Sequence, residues 1–376
     1  MQIEFFRHDL GEPELDAVAQ VLASPILTTG NTVATFETRF SAYLGRRHAL
    51  GVTSCTGALH LSLLALGVGP GDEVITTPLT FIASSTAILE AGARPVFVDV
   101  EPMTGNLDAA QVEAAITPRT RAILPVHLYG QMCDMRALRA IADRHNLRIV
   151  EDAAHCVEGE RDGVRPGELG DTACFSFYAT KSLTCGEGGG IVTDDSKLAE
   201  RLRLLRLHGM TKTAVDRHEE GYQHWDMTVF GWKYNMDNIQ AALLLPQLDR
   251  LDVHWRARRA LVARYEEQLA GVPGVRWPAT LPGVRHAHHL FTIWIGGGRR
   301  DHVVTRLQAR GIPVVVNYRA IHLLTYFQEH LKYPRGAFPV AERIGDETIS
   351  LPLYPTMPPE HLDLVVAAVR EAVAGA

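Results

Sequence analysis

The spacing of hydrophobic and polar residues changes repeatedly between two periods from about residue 48 to residue 195. Short apolar runs indicate buried strands, whereas apolar positions three to four residues apart indicate helices that cover them. The pattern predicts helices over residues 57–66, 82–90, 107–116 and 135–145, and strands over residues 73–76, 95–100, 121–126, 147–150, 173–178 and 191–193. Such alternation predicts an α/β fold with a mostly parallel sheet sandwiched by helices.

The C-terminal part of the chain has a different pattern. Residues 237–270 are mostly helix-forming, and Pro246 is expected to kink or interrupt that helix because proline lacks an amide N–H. The residues that follow carry weaker strand and helix signals and several proline-containing turns. We predict that they form a smaller second domain.

Composition narrows the class of protein. The 376 residues, 46% of them hydrophobic, are enough for two or three domains. The net charge of −6 lacks the basic excess of a nucleic-acid binder. The apolar runs are far shorter than the ~20 residues of a membrane span, and the N-terminus has no secretory pattern. Five scattered cysteines without a C-x-x-C pair favour a reducing cytoplasm over disulfides or a zinc site.

Two motifs sit where an α/β sheet usually binds its ligand, at the carboxyl ends of strands. The segment 151–155 follows directly on the strand that ends at Val150, and Asp152 within it could cap a helix or hold a cationic heterocycle in its charged form. Residues 53–57 open a predicted helix, and they could be an ordinary Ser/Thr cap or an anion site on the free N–H groups.

Lys181 lies in a loop that is rich in Thr, Ser and Gly, between two predicted strands. A Walker motif does not fit, because the lysine precedes the glycines and a strand follows them. A lone lysine is usually solvated, but this one has aromatic residues on one side and four glycines on the other. A lysine in such a place can lose its proton readily enough to form a Schiff base.

Together these residues describe a site for pyridoxal 5′-phosphate (PLP). The segment 54–57 would take the phosphate, Asp152 would pair with the pyridinium nitrogen, and Lys181 would form the Schiff base. Phe81, in the segment TPLTF, could stack on the ring. A second candidate set, His286, His288 and His289, could suggest a metal, but no Cys or carboxylate pattern completes one, so a surface loop or a substrate-side histidine is the alternative.

With these motifs, the chain resembles the DegT-type (DegT/DnrJ/StrS) family of nucleotide-sugar aminotransferases, which have the type I, aspartate-aminotransferase-like fold. The matching stretches, in family order, are SCTGALHLSLLALGVGPGDEVITTPLTFIAS, AGARPVFVDVEP, AILPVHLYGQMCDM, IVEDAAHC, FSFYATKSLTCGEGGGIVTDD and GWKYNMDNIQAALL. The resemblance implies an N-terminal arm and large PLP-binding domain over residues 1–245, and a small C-terminal α+β domain over residues 246–376.

The resemblance also implies roles for residues at matching positions. Lys181 matches the Schiff-base lysine, and Asp152 matches the partner of the pyridine nitrogen. The other implied cofactor contacts are Thr56, Gly57 and Ser176 at the phosphate, Phe81 and His155 at the ring, and Asn235 at the phosphate of the neighbouring subunit. The implied substrate contacts are Thr28, Tyr178, Tyr318 and His322. A shared phosphate site implies a homodimer.

The implied reaction transfers the amino group of L-glutamate to a nucleotide-linked keto sugar, with UDP and a 4-keto sugar favoured, in cell-surface glycan or lipopolysaccharide biosynthesis. The chain departs from many relatives at Asn317, where they often have His, and at Tyr178, where several have His. Both positions would lie near the sugar, so a 3-keto substrate remains an alternative.

Three other functions remain open at this stage. A PLP sugar dehydratase has the same fold, but those relatives replace the lysine by histidine, and Lys181 is retained here. A regulatory protein of this fold would lack turnover. A nicotinamide dehydrogenase would need a G-x-G-x-x-G motif between a strand and a helix, and none is placed so.

Overall fold

The computed structural model describes residues 3–212 and 224–375. Its strands are β1 (His48–Val52), β2 (Glu73–Thr76), β3 (Arg94–Phe97), β4 (Thr120–Ile123), β5 (Arg148–Asp152), β6 (Glu160–Arg161), β7 (Thr172–Ser176), β8 (Gly189–Thr193), β9 (Val275–Arg276), β10 (Val284–Arg285), β11 (Phe291–Ile295) and β12 (Thr348–Leu351).

Helices are the other regular elements of the fold. They are α1 (Glu12–Leu22), α2 (Asn31–Leu44), α3 (Cys55–Ala65), α4 (Ala83–Glu90), α5 (Ala109–Val112), α6 (Met135–His145), α7 (Ser196–Leu205), α8 (Asn238–Leu248), α9 (Leu251–Leu269), α10 (Arg300–Ala309), α11 (Thr325–Leu331), α12 (Pro339–Glu347) and α13 (Pro359–Ala374), with short 3₁₀ turns at Glu113–Ala115, Leu128–Gly130 and Ile321–Leu323.

A seven-stranded sheet forms the centre of the larger domain, in the order β1-β8-β7-β5-β4-β2-β3. The strands from β7 to β3 are parallel to their neighbours, whereas β8 is antiparallel to both β1 and β7. Every residue of β2, β7 and β8 is buried. Strands with helices on both faces have little polar surface, which explains their short apolar runs and confirms the predicted α/β sandwich.

Helix α6 coincides with the predicted helix over residues 135–145. Its start is fixed by the Asp134 side chain, which accepts a hydrogen bond from the N–H of Ala137, and its end by Asn146 in the left-handed conformation. The helix predicted over residues 107–116 is shorter, because Asp108 caps it at Ala109 and the chain turns extended at Ile116.

The predicted helical stretch 237–270 forms as two helices, α8 and α9. Pro246 lies inside α8, which continues to Leu248, so the break falls at Asp249–Arg250, after the proline instead of at it. In the described ranges no helix is long and apolar enough to cross a membrane.

The second core lies around the three-stranded antiparallel sheet β12-β11-β9 and helices α9, α10 and α13. Leu248 and Leu251 still pack in the core of the large domain, whereas Leu261 and the buried residues after it on α9 belong to the second core. Ile3, from the N-terminal arm, also packs there. The packing therefore changes along α9, and the predicted division after residue 245 stays a prediction.

Candidate active site

A cavity of about 510 Å³ opens at the carboxyl ends of the parallel strands. Its walls are the start of α3, the turn before α4, the end of β5, the connection between β7 and β8, and residues 317–318. Polar side chains that are far apart in sequence meet in it, as the position of ligand sites in open α/β sheets predicts.

The start of α3 forms one end of this cavity. Ser54 is the cap, because its hydroxyl accepts a hydrogen bond from the N–H of Gly57 at 3.0 Å. The first intrahelical bond runs from the N–H of Ala58 to the carbonyl of Ser54, so the N–H groups of Cys55 and Thr56 have no partner within the helix. Both interpretations of the motif therefore apply, since a capped helix still presents two N–H groups and its dipole to an anion.

The glycines after Lys181 bring β8 against the start of α3. A Cβ atom on Gly189 would lie 2.4 Å from the carbonyl carbon of Ser54, so a side chain there would push the strand and the helix apart. Gly186 has a φ of +83°, which favours glycine. Gly188 lines the cavity. At Gly189 the absence of a side chain therefore makes room for the protein backbone.

Asp152 lies at the inner wall of the cavity with 6% of its surface exposed. One carboxylate oxygen accepts a hydrogen bond from the Ser84 hydroxyl at 2.7 Å, and the other accepts one from the N–H of Ala154 at 3.1 Å. No helix begins after Asp152 in this described stretch, so the helix-cap alternative is wrong. Burial raises the pKa of Asp152, and the bonds from Ser84 and Ala154 and the charge of Lys181 offset part of that rise.

Lys181 faces Asp152 from the loop between β7 and β8 and lines the same cavity. Burial lowers the pKa of its amine to about 8, although Cys55 and Asp152 act in the opposite direction. The lysine is therefore not a solvated surface residue. An amine with this pKa is unprotonated in an appreciable fraction of molecules near neutral pH, as a nucleophile and proton carrier requires.

His155 and Tyr318 form a third wall. Nδ1 of His155 accepts a hydrogen bond from the N–H of Tyr129 at 3.3 Å, so the ring proton is on Nε2, which lies 3.3 Å from the Tyr318 hydroxyl. The two rings are stacked, with centroids 6.1 Å apart. Burial, and then the charge of Lys181, holds the pKa of His155 well below its usual range. His155 is therefore a neutral donor beside the cavity.

Four further predicted residues line the cavity or border it. Thr56, Ser176 and Tyr178 line it, and so does Phe81, whose ring lies 6.0 Å from that of Tyr318. Gly57 lies one position further into α3, where a Cβ atom would be 3.2 Å from the Tyr234 ring, and it is not part of the lining.

Three predicted residues lie elsewhere in this chain. Thr28 belongs to the loop before α2, and Asn235 is buried, with its amide donating to the Thr29 hydroxyl at 2.6 Å. His322 is fully buried and lies 3.0 Å from the Glu342 carboxylate. The expectation that His322 contacts a substrate in this cavity needs correction, because its side chain is fully buried against Glu342.

The structure adds His289 to the site. Its Nε2 lies 3.5 Å from Nζ of Lys181, and its ring centroid is 4.4 Å from that of His155. His286 and His289 are buried, so the surface-loop interpretation does not hold for these two histidines. No group of three metal-ligating side chains occurs in residues 3–212 and 224–375. Sequence spacing gives no signal for His289, because its neighbours in the fold come from residues over a hundred positions away.

A model of the DegT/DnrJ/EryC1/StrS aminotransferase family matches residues 8–370. The chain belongs to this family. It is 42% identical over 373 residues to the spore coat polysaccharide biosynthesis protein SpsC of Bacillus subtilis, an alignment that covers 98% of this chain and 96% of SpsC. The aminotransferase has the type I fold of PLP-dependent enzymes, as the sequence predicted.

Two solved structures are similar to it over their whole length. DesV of S. venezuelae, solved in complex with a ketimine intermediate, is 41% identical with a TM-score of 0.92, and 98% of each chain is covered. Spr1654 of Streptococcus pneumoniae in its PLP form is 30% identical with a TM-score of 0.94, covering 100% of this chain and 99% of that one. The protein is therefore a sugar aminotransferase, and its cofactor is PLP.

The cavity fits this cofactor. The buried carboxylate of Asp152, which forms no ion pair within residues 3–212 and 224–375, lies at the inner wall. The N–H groups of Cys55 and Thr56, which have no partner within α3, suit a phosphate. The amine of Lys181 lines the same space. These three features match the charge of each part of PLP.

Proposed function

We propose that this aminotransferase moves the amino group of L-glutamate to the C4 carbonyl of a UDP-linked keto sugar, for the synthesis of a cell-surface glycan or lipopolysaccharide. The observation that carries the proposal is the single cavity in which Lys181, Asp152 and the start of α3 surround a space of cofactor size. The relation to SpsC, a spore coat polysaccharide biosynthesis protein, supports a surface glycan as the destination.

In this proposal each wall of the cavity has one task. When bound, PLP supplies an electron sink for the bond changes at the amino carbon. Asp152 keeps the ring nitrogen protonated, and Lys181 holds the cofactor and later carries the proton. The N–H groups of Cys55 and Thr56 and the Ser176 hydroxyl hold the phosphate. Phe81 covers one face of the ring, and His155 lies beside its hydroxyl.

The sugar would occupy the mouth of the cavity, where Tyr178 and Tyr318 offer hydroxyl groups and aromatic faces. Tyr178 is 46% exposed and has space around it for a ligand. Asn317 also lines the mouth, and an amide can donate to a sugar hydroxyl. A 3-keto sugar is the alternative substrate, because the residues that differ from many relatives, Tyr178 and Asn317, both lie here.

We further propose a homodimer in which Asn235 and Thr28 serve the active site of the neighbouring subunit. Three large apolar side chains close to Asn235 in sequence are exposed in the single chain, Trp225 at 42%, Met227 at 51% and Phe230 at 71%. Exposed apolar side chains of this size are typical of a surface that another protein covers. The five cysteines are free and buried, which supports a reducing cytoplasm as the location.

Product analysis tests the proposed reaction. The purified protein with PLP and L-glutamate is incubated with UDP- and dTDP-linked 4-keto and 3-keto sugars, and the products are identified by mass spectrometry. We expect an amino sugar and 2-oxoglutarate in equal amounts, and Lys181→Ala should lower the rate by at least about 10³-fold because no other residue supplies the amine. A dehydrated sugar without a new amine, or full turnover in Lys181→Ala, would contradict the proposal.

A further inference from the structure

The segment that carries His289 is fixed against the turn at residues 129–130. The N–H of Ala287 donates to the carbonyl of Gly130 at 2.8 Å, and the N–H of His289 donates to that of Tyr129 at 3.1 Å. These two bonds aim the buried His289 ring at the lysine, with Nε2 3.5 Å from Nζ. The turn at residues 129–130 therefore fixes the position of the His289 side chain beside Lys181.

The other titratable groups that face Nζ are already engaged. The oxygens of Asp152 accept bonds from Ser84 and Ala154, and both nitrogens of His155 have partners in Tyr129 and Tyr318. Burial raises the pKa of the Cys55 thiol well above its usual range, so it stays neutral. In the part of the chain that the structure describes, the side-chain hydrogen-bond partner of Nζ is His289.

The chemistry of the pair follows from its protonation. Burial, and then the charge of Lys181, lowers the pKa of His289 well below its usual range, so the imidazole is neutral. A lysine ammonium has three donors and no acceptor. The unprotonated ring nitrogen can therefore accept a hydrogen bond from the ammonium, and such a bond favours the charged form of the lysine.

We propose that His289 is a positioning residue for Lys181: Nε2 of His289 accepts a hydrogen bond from the lysine amine and holds it at the cavity wall whenever that amine is not joined to the cofactor. The inference rests on the proposed role of Lys181 as the Schiff-base residue. It assigns His289 no contact with the sugar and no covalent step. Its effect is to give the released lysine one resting position.

The test is a titration of Lys181 in the full-length protein after removal of the cofactor. Labelling with 1-fluoro-2,4-dinitrobenzene between about pH 6 and pH 10 covers the expected range. The sequence has five lysines, so peptide mass spectrometry follows residue 181 separately. The wild-type midpoint should lie near the lysine pKa of about 8. His289→Leu removes the acceptor and should lower the labelling midpoint of Lys181 by about one pH unit. At a pH below the midpoint, Lys181 should then be labelled about tenfold faster than in the wild type.

Two variants keep the result interpretable. His289→Gln retains a carbonyl acceptor and should keep the midpoint near that of the wild type. The control is His288→Asn, because His288 stacks on His286 with centroids 4.5 Å apart, and asparagine tolerates its left-handed backbone. An unshifted midpoint in His289→Leu, a shift in His289→Gln as large as in His289→Leu, or an equal shift in His288→Asn would overturn the proposal.

Borohydride reduction of the wild-type holoprotein separates this inference from the proposed role of Lys181. If the cofactor is trapped on Lys181 and the labelling midpoint of Lys181 does not shift in His289→Leu, the proposed role of His289 is wrong and that of Lys181 stands. If no cofactor is trapped there, the assignment of Lys181 is wrong, whatever the midpoints are.

Discussion

At the inner end of the cavity Asp152 is 6% exposed and hydrogen-bonded on both oxygens, whereas at the mouth Tyr178 is 46% exposed. The inner half is held in place by bonds within one chain. The outer half presents aromatic side chains that a ligand or another chain can cover. This difference indicates that the cofactor chemistry is specified by the fold of the single chain, and that the choice of substrate depends on the mouth.

The strongest test of the inner half is Asp152→Asn. The amide keeps the size of the side chain but has no charge to stabilise a protonated ring nitrogen, so we expect kcat to fall by about 10³-fold. Ser84→Ala is the control, because it removes one hydrogen bond and leaves the carboxylate, and kcat should fall by about tenfold or less. Steady-state kinetics measure both. Near-normal turnover in Asp152→Asn would mean that this carboxylate is not the partner of the ring.

A pair of substitutions separates the two halves. Phe81→Leu should weaken PLP binding by up to about tenfold, since it removes a stacking face, and should change the KM for the sugar little. Tyr178→Phe should do the reverse, raising the KM for the sugar by about tenfold for one lost hydrogen bond while PLP binding stays constant. Fluorescence titration with PLP and steady-state kinetics give the two constants. The same response in both variants would remove the distinction between inner and outer halves.

The low pKa of Lys181 predicts a pH-dependent stability of the cofactor-free protein. Folding lowers this pKa from 10.5 to about 8, so between these values the unfolded chain binds more protons than the folded one, and stability rises with pH. Lys181→Met removes the cost of burying the amine. Its Tm should exceed that of the wild type by about 2–4 °C near neutral pH, and the gap should close towards pH 10.5. A gap that is constant with pH, measured by scanning calorimetry, would contradict a lowered pKa.

The smallest effect on catalysis is expected at His322. Its ring is fully buried and lies against Glu342, so His322→Gln should leave the KM for the sugar within about twofold while lowering Tm by a few degrees. A large rise in KM with an unchanged Tm would restore the prediction from sequence that His322 contacts substrate.

Much of the inner half of the cavity could be predicted from the sequence, because the patterns that mark its residues lie within a few positions of them. The α6 boundaries follow from Asp134 and Asn146. Asp152 ends β5, Ser54 precedes α3, and Lys181 lies in the loop that follows β7. Strand and helix ends lie together at one edge of an α/β sheet, so local patterns there also predict neighbours in space.

The remaining features depend on contacts that no local pattern contains. His289 reaches Lys181 only because the segment 286–289 bonds to the turn at residues 129–130, and His322 is closed off by Glu342 from a separate helix. The helix break also falls after Pro246, at Asp249–Arg250 directly beyond the end of α8, and the change from one core to the other follows along α9. Tertiary packing decides these positions.

The most direct test of the central claim is to find where PLP is attached. The holoprotein is reduced with borohydride and digested, and its peptides are sequenced by mass spectrometry; the chain has five lysines, so the assignment is unambiguous. We predict a pyridoxyl group on Lys181 and its absence in Lys181→Ala. A pyridoxyl group on another lysine, or none in a protein that turns over the sugar, would contradict it.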